Sequence, residues 1–164
     1  MAREAVARGA KVTLVSTVEV ESQPALDVVE VETAEEMREA MSRYASGADV
    51  VVMAAAVADV RPVSVATEKL KKDPTTGRIE GLGAIELEAT RDILADLGRL
   101  ESRHAGRPVL VGFAAETSDA VARARRKRDA KQVDLVVAND VSRSDAGFDV
   151  ETNAVTIVGP DGDD

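Results

Sequence analysis

A chain of 164 residues that is 45% apolar but only 2% aromatic suits one domain, with a core of Val, Ala, Leu and Ile rather than of rings. It has no Cys and one His, His104, which excludes disulfides, thiolate or His-cluster metal sites and a Cys nucleophile. The net charge of −9, from 30 acidic and 21 basic residues, repels nucleic acid, and the excess of Arg over Lys with abundant Ala and Val fits a salt-adapted cytoplasm.

The first stretch, "MAREAVARGAKVTLVS", is interrupted by charge from position 3 and is no signal peptide. No later apolar run reaches the roughly 18 residues of a membrane span. The expectation is a soluble, cytoplasmic protein. "AREAVARGA" reads as the tail of a helix stopped at Gly9. "KVTLVS" (11–16) reads as a strand and "DVVEVE" (27–32) as a second, more polar one. Thr33 then caps the helix "AEEMREAMSRYA", whose first turn is acidic.

"ADVVVMAAA" (48–56) is a continuous apolar strand, and its lack of alternation predicts burial on both faces. The segment 59–83, rich in Lys, Pro, Thr and Gly, reads as irregular and mobile. "RDILADLGRLE" (91–101) is a helix and "PVLVGFAAE" (108–116) a buried strand. A helix starting at Thr117 or Ser118 runs through "SDAVARARRKRDAKQ", followed by the strand "VDLVVAND" (133–140). The end, "FDVETNAVTIVGPDGDD", reads as short strands at 148–150 and 155–158 and a polar tail. No repeat or linker divides the chain, so 1–164 is expected to be one domain. The alternation predicts an α/β fold, a mostly parallel doubly wound sheet with helices on both faces and a short C-terminal antiparallel pair.

Ligands of such sheets bind at the carboxyl ends of the strands. Three strands end alike here: "MAAAVAD" (53–59), "GFAAET" (112–117) and "VANDV" (137–141). Each tapers through small residues to Asp59, to Glu116, or to Asn139 with Asp140. Small side chains let a flat or charged ligand approach the backbone, and the polar group orients it. Any one taper could be helix packing and a loop cap; three at one sheet edge point to a site.

Five of the six lysines fall in two places. Lys69, Lys71 and Lys72 lie in "EKLKK" of the 59–83 segment. Lys127 and Lys131 share a helix face with Ala120 and Ala124. A solvated charge run and a basic helix end favoured by the macrodipole are the bland alternatives. Two lysine groups near a carboxylate-bearing strand edge suggest a nucleoside triphosphate with Mg²⁺. His104 and Tyr44 read as surface residues. Neither the G-x-G-x-x-G fingerprint nor a P-loop is present, and no Ser-His-Asp set can be assembled.

"AAAVADVRP", "EKLKK", "GFAAET", "KQVDLVVANDV" and "FDVETNAVTIV", in that order, resemble phosphopantothenate–cysteine ligase, the phosphopantothenoylcysteine synthetase of coenzyme A biosynthesis. That ligase is often fused behind a flavin-dependent decarboxylase, so FMN enters only if such a domain lies upstream. The resemblance implies a Rossmann-like fold, CTP with Mg²⁺, and a homodimer. It implies attack of the 4′-phosphopantothenate carboxylate on the α-phosphate, giving an acyl-cytidylate. The cysteine amine then displaces CMP to form 4′-phospho-N-pantothenoylcysteine.

Carried over by position, the resemblance implies that Ala55, Ala56 and Asp59 contact the nucleotide. It makes Lys69 the residue that stabilises charge during transfer and Asn139 its catalytic companion. It sets Phe113 beside the base and Lys127 and Lys131 on the phosphates, and it leaves the metal ligands unassigned. In "TRDIL" (90–94) Arg91 stands where the family often has Pro, ahead of the expected contacts of Asp92, Ile93 and Leu94.

The family begins with a strand, a Gly-rich turn and an Asn-x-Ser-Ser-Gly segment that this sequence does not show, and it ends in a further helix. The chain therefore reads as a ligase-domain fragment lacking the central first strand. It is expected to be inactive or weakly active alone, with a sheet gap between 11–16 and 48–56. The competing readings are a nicotinamide-dependent oxidoreductase, against which Tyr44 lacks a Lys four residues on, and a non-catalytic nucleotide-binding or dimerisation module. Binding of CTP, ATP or NADP separates the three.

Overall fold

The computed structural model describes residues 1–79, 85–100, 108–142 and 154–163. His104 and the expected strand at 148–150 lie outside them. The chain forms two compact units, one of Met1–Ala55 with Asp92–Asp164 and one of Ala56–Arg91. They are called the body and the ribbon below.

The body opens with helix α1 (Ala2–Ala7), which ends before Gly9 at φ 90°, a conformation glycine adopts without strain. Strands β1 (Val12–Ser16) and β2 (Leu26–Glu30) pair in parallel from Val12↔Leu26 to Ser16↔Glu30. Helix α2 (Ala34–Ala45) starts at Thr33, whose hydroxyl accepts the Glu36 N–H at 3.2 Å. The Glu36 carboxylate accepts the Thr33 and Glu32 N–H groups at 3.0 and 2.7 Å. This reciprocal box satisfies donors that the first turn would otherwise leave open. Met37, Ala40 and Ala45 form the buried side of α2, and Tyr44 is exposed as its surface position predicts.

Strand β3 (Val50–Met53) begins a separate sheet with β6 (Val109–Glu116), β7 (Leu135–Asp140) and β8 (Val155–Val158), in the order β3-β6-β7-β8. The first two pairings are parallel and β7–β8 is antiparallel, a mostly parallel Rossmann-like arrangement with an antiparallel edge. β1 and β3 do not pair, which is the gap anticipated between the strands at 11–16 and 48–56.

Helices α3 (Ile93–Gly98) and α4 (Ala120–Lys131) pack on the four-stranded sheet. The face they cover carries Leu110, Gly112, Ala114, Val136, Ala138 and Val158, and Leu110, Val136 and Val158 are wholly sealed from solvent. Two glycines allow the close approach. A Cβ on Gly112 would come within 2.9 Å of a Leu94 methyl, and one on Gly98 within 2.0 Å of the Lys131 carbonyl oxygen.

Two expectations for the body change. The apolar run at 48–56 forms a strand only over Val50–Met53, and it alternates: Val51 and Met53 are buried, while Val50 is 54% and Val52 47% exposed. The opposite sheet face carries Val155 and Ile157, also exposed. β-branched residues favour the strand, but burial of its second face needs a covering element. Helix α4 starts after Asp119, at φ 50° and ψ 38°, rather than at Thr117 or Ser118. The left-handed turn at Asp119 breaks the helical run that the polar residues before it suggested.

The ribbon pairs β4 (Val60–Pro62) with β5 (Leu87–Ala89) in antiparallel register, Val60↔Ala89 to Pro62↔Leu87. Bonds from Thr90 N–H to the Asp59 carbonyl and from Val63 N–H to the Glu86 carbonyl extend the ladder. Arg61 and Glu88, directly opposite, form an ion pair at 2.8 Å. Between them Asp73 accepts the Thr75 and Thr76 N–H groups, Gly77 turns at φ 70°, and Lys72 bridges Ile79. The segment 59–83, expected to be irregular, thus contributes a strand and a tight turn. Pro62 and the exposed faces hid them, since proline in a strand signals an edge at best. Among the described residues no helix is long and apolar enough to cross a membrane.

Candidate functional site

The helix face expected from the spacing of 120, 124, 127 and 131 is the one turned to the sheet. Ala124 is fully buried, and Ala120, Lys127 and Lys131 are half-buried around it. Alanines bring the helix close, and the longer lysine stems then run over the surface of the sheet. Lys127 Nζ donates to the Phe113 carbonyl oxygen at 2.6 Å. Phe113 lies one residue past the last β3–β6 pairing, Met53↔Gly112, so this ammonium stands at the carboxyl end of β3. The exposed Ala54 and Ala55 follow Met53 there.

Lys131 Nζ bonds to Asp92 Oδ2. Asp92 caps α3, with Oδ1 accepting the Ala95 N–H at 2.9 Å. Its backbone is extended, at φ −81° and ψ 95°, although Arg91 rather than Pro precedes it. Burial pushes the Asp92 carboxyl up, but the Lys131 ammonium, the Ala95 N–H and the charges of Lys131 and Lys127 outweigh it. The group is held below its ordinary value of 3.8. Ile93 and Leu94 are buried, so what they can offer a ligand is backbone.

Asn139 is 7% exposed near the end of β7, opposite Ala115 on β6 and Val155 on β8. Its Oδ1 is buried without a hydrogen-bond partner among the described residues. An orphaned buried acceptor is costly and awaits a donor. Asp140 beside it accepts from the Ser142 N–H and hydroxyl, and Glu116 pairs with Arg123 at 3.4 Å, so these two strand-end carboxylates have local partners. A recess of about 290 Å³ lies by the first turn of α4, lined by Ala120, Ala138, Asp140 and Thr156 among others. It includes none of the expected site residues.

The body thus carries Ala55, Asp92, Ile93, Leu94, Phe113, Lys127, Lys131 and Asn139, and the ribbon carries Ala56, Asp59, Lys69 and Arg91. Asp59, Lys69 and Arg91 are exposed, and Lys69 has neither hydrogen bond nor ion pair among the described residues. Sequence reasoning missed the Asp92–Lys131 pair and the role of Gly98. The residues are 39 positions apart, and no spacing rule links them. Among the described residues no group of three His, Cys, Asp or Glu could hold a metal ion.

Comparison with known proteins gives this geometry its context. Residues 1–164 match the family described as DNA/pantothenate metabolism flavoprotein C-terminal domain. The chain is 42% identical over 164 residues to the coenzyme A biosynthesis bifunctional protein CoaBC of Bacillus subtilis (strain 168), covering 99% of this chain and 38% of that protein. Identity to CoaBC of Escherichia coli (strain K12) is 41%, covering 99% of this chain and 39% of that protein. The chain therefore spans under two fifths of the curated relatives it matches. The crystal structure of the C-terminal domain of CoaBC superposes with a TM-score of 0.73 at 35% identity, covering 98% of this chain and 66% of that one. A DNA/pantothenate metabolism flavoprotein from Streptococcus pneumoniae gives a TM-score of 0.76 at 18% identity, covering 99% of this chain and 76% of that one, and speaks to the fold alone. With the whole length matched and the fold shared, the chain belongs to the DNA/pantothenate metabolism flavoprotein C-terminal domain family.

Proposed function

We propose that these 164 residues form a single, partial ligase domain of a coenzyme A biosynthesis enzyme. It joins 4′-phosphopantothenate and L-cysteine to 4′-phospho-N-pantothenoylcysteine, with CTP converted to CMP and pyrophosphate through an acyl-cytidylate. The observation that carries this is Lys127 on α4, whose ammonium meets the Phe113 carbonyl where strand β3 ends, with Lys131 on the same helix face; folds of this kind hold nucleotides at the carboxyl ends of their strands. Similarity to CoaBC over the full length of the chain supports the same reading.

In this mechanism the attack of a carboxylate on an α-phosphate brings two anions together, so positive charge at the phosphates lowers the barrier most. Lys127 and Lys131 hold the phosphates. Lys69, which has no partner to give up among the described residues, stabilises the charge that develops in transfer. Ala55 and Ala56 give the nucleotide room against backbone. Asp59 orients it, Phe113 lies beside the base, and the segment Arg91 to Leu94 contributes contacts. The orphaned Asn139 oxygen accepts a proton donor of the second substrate or of the intermediate. Magnesium would accompany the nucleotide and offset phosphate charge, with its protein ligands unassigned.

The protein is proposed to be cytoplasmic and homodimeric, with no role in binding nucleic acid or membranes. FMN belongs to a fused decarboxylase domain where one is present. Because β1 and β3 are left unpaired, the isolated 164 residues are proposed to turn over weakly or not at all. Calorimetry on the full-length protein with CTP, ATP and NADP, each with Mg²⁺, tests the assignment. Preference for CTP and cysteine-dependent CMP release support it. NADP binding would return the oxidoreductase reading, and nucleotide binding without CMP release would leave a non-catalytic module.

A further inference from the structure

Lys131 is held at both ends of α3. Its backbone carbonyl lies against Gly98, where a Cβ would come within 2.0 Å, and its ammonium reaches back to Asp92 at the start of the helix. The lysine stem therefore runs along α3, and its side chain is 31% exposed. Asp92 is itself immobilised. Oδ1 caps Ala95, and the helix it caps is anchored by buried Ile93, Leu94, Ala95 and Leu97. A carboxylate fixed in this way cannot swing without giving up the helix cap.

Both Asp92 oxygens are occupied, one by the Ala95 N–H and one by Lys131. A carboxylate so engaged is a poor direct ligand for phosphate, because like charges repel and each oxygen already has a donor that fixes its direction. A lysine stem is flexible, and an ammonium with a fixed counter-charge is restrained in direction.

We infer that Asp92 is a positioning residue of the nucleotide site: its carboxylate, rigid as the cap of α3, aims Lys131 at the phosphates and does not itself touch the nucleotide. This rests on the proposed reading of Lys131 as a phosphate-holding residue. It replaces a direct side-chain contact by Asp92 with an indirect one.

The test is kinetic and uses the full-length protein. Asp92→Asn keeps an oxygen able to cap Ala95 but removes the charge facing Lys131, and Asp92→Ser does the same with a different cap. Both are expected to raise KM for CTP about tenfold, with kcat within about twofold and the variants still folded at the assay temperature by thermal melt. In a Lys131→Gln background, Asp92→Asn is expected to add no further loss, because the two act as one unit. An unchanged KM in both Asp92 variants, with Lys131→Gln raising it, overturns the inference. A lowered KM also overturns it, since the ion pair would then compete with the nucleotide. Additive losses overturn it in favour of direct contact. If Lys131→Gln alone leaves KM unchanged, the phosphate reading of Lys131 fails first, a result obtained without touching Asp92.

Discussion

In the body, Leu110, Val136 and Val158 are shut off from solvent, whereas in the ribbon every residue of β4 and β5 is exposed. Burial of a Leu or Val side chain contributes about 1.5–3 kcal/mol, so the body draws its stability from apolar area. The ribbon has a backbone ladder, one cross-strand ion pair and an Asx turn at Asp73, interactions that each contribute little net in water. The body is therefore suited to holding groups in place, and the ribbon to presenting groups such as Lys69, which has no partner among the described residues. Segments with few buried contacts are where functional loops are usually found.

Lys69→Gln should separate the two regions most sharply. In the full-length protein, turnover is expected to fall about 10²–10³-fold, as when a group stabilising transition-state charge is removed. Stability should stay within about 0.5 kcal/mol, because the residue is exposed. Parallel rate and denaturation measurements check this, and an equal loss of both would make Lys69 a structural residue. Leu110→Ala is the counterpart in the body, expected to cost about 2–5 kcal/mol in a urea titration through the cavity it leaves.

Gly98→Ala should cost about 1–3 kcal/mol, since the added methyl meets the Lys131 carbonyl rather than a movable side chain. A neutral result would mean that α3 and α4 can separate freely. A smaller effect depends on pH. Asp92 is held below its ordinary 3.8, so the stability it adds is complete above that value and is lost as pH falls through the lowered one. The stability difference between the protein and Asp92→Asn should therefore shrink below about pH 4, followed by thermal melts. The smallest effect belongs to the ribbon. A double-mutant cycle on Arg61 and Glu88 should give about 0.2–1 kcal/mol and fade with salt, both side chains being about half exposed.

Much of this was legible beforehand. The face at 120, 124, 127 and 131 turned to the sheet because alanine spacing on a helix leaves little choice. Thr33 capped α2, and Glu36 three residues on was a readable sign of the reciprocal box. β4 and β5 were not legible, because strands of three exposed residues carry no burial period and one contains Pro62. The Asp92–Lys131 pair was hidden by its separation along the chain.

By itself the sequence determined most of the strands and helices of the body, which lysines share a face, and which family the chain resembles. These depend on local stereochemistry and on side chains at fixed spacing. Only the tertiary structure decided that Val50 and Val52 face solvent and that β4 pairs with β5. It alone decided that Asp92 and Gly98 hold Lys131 from two sides. Each of these is a relation between distant parts of the chain, set by which surfaces meet when the core closes.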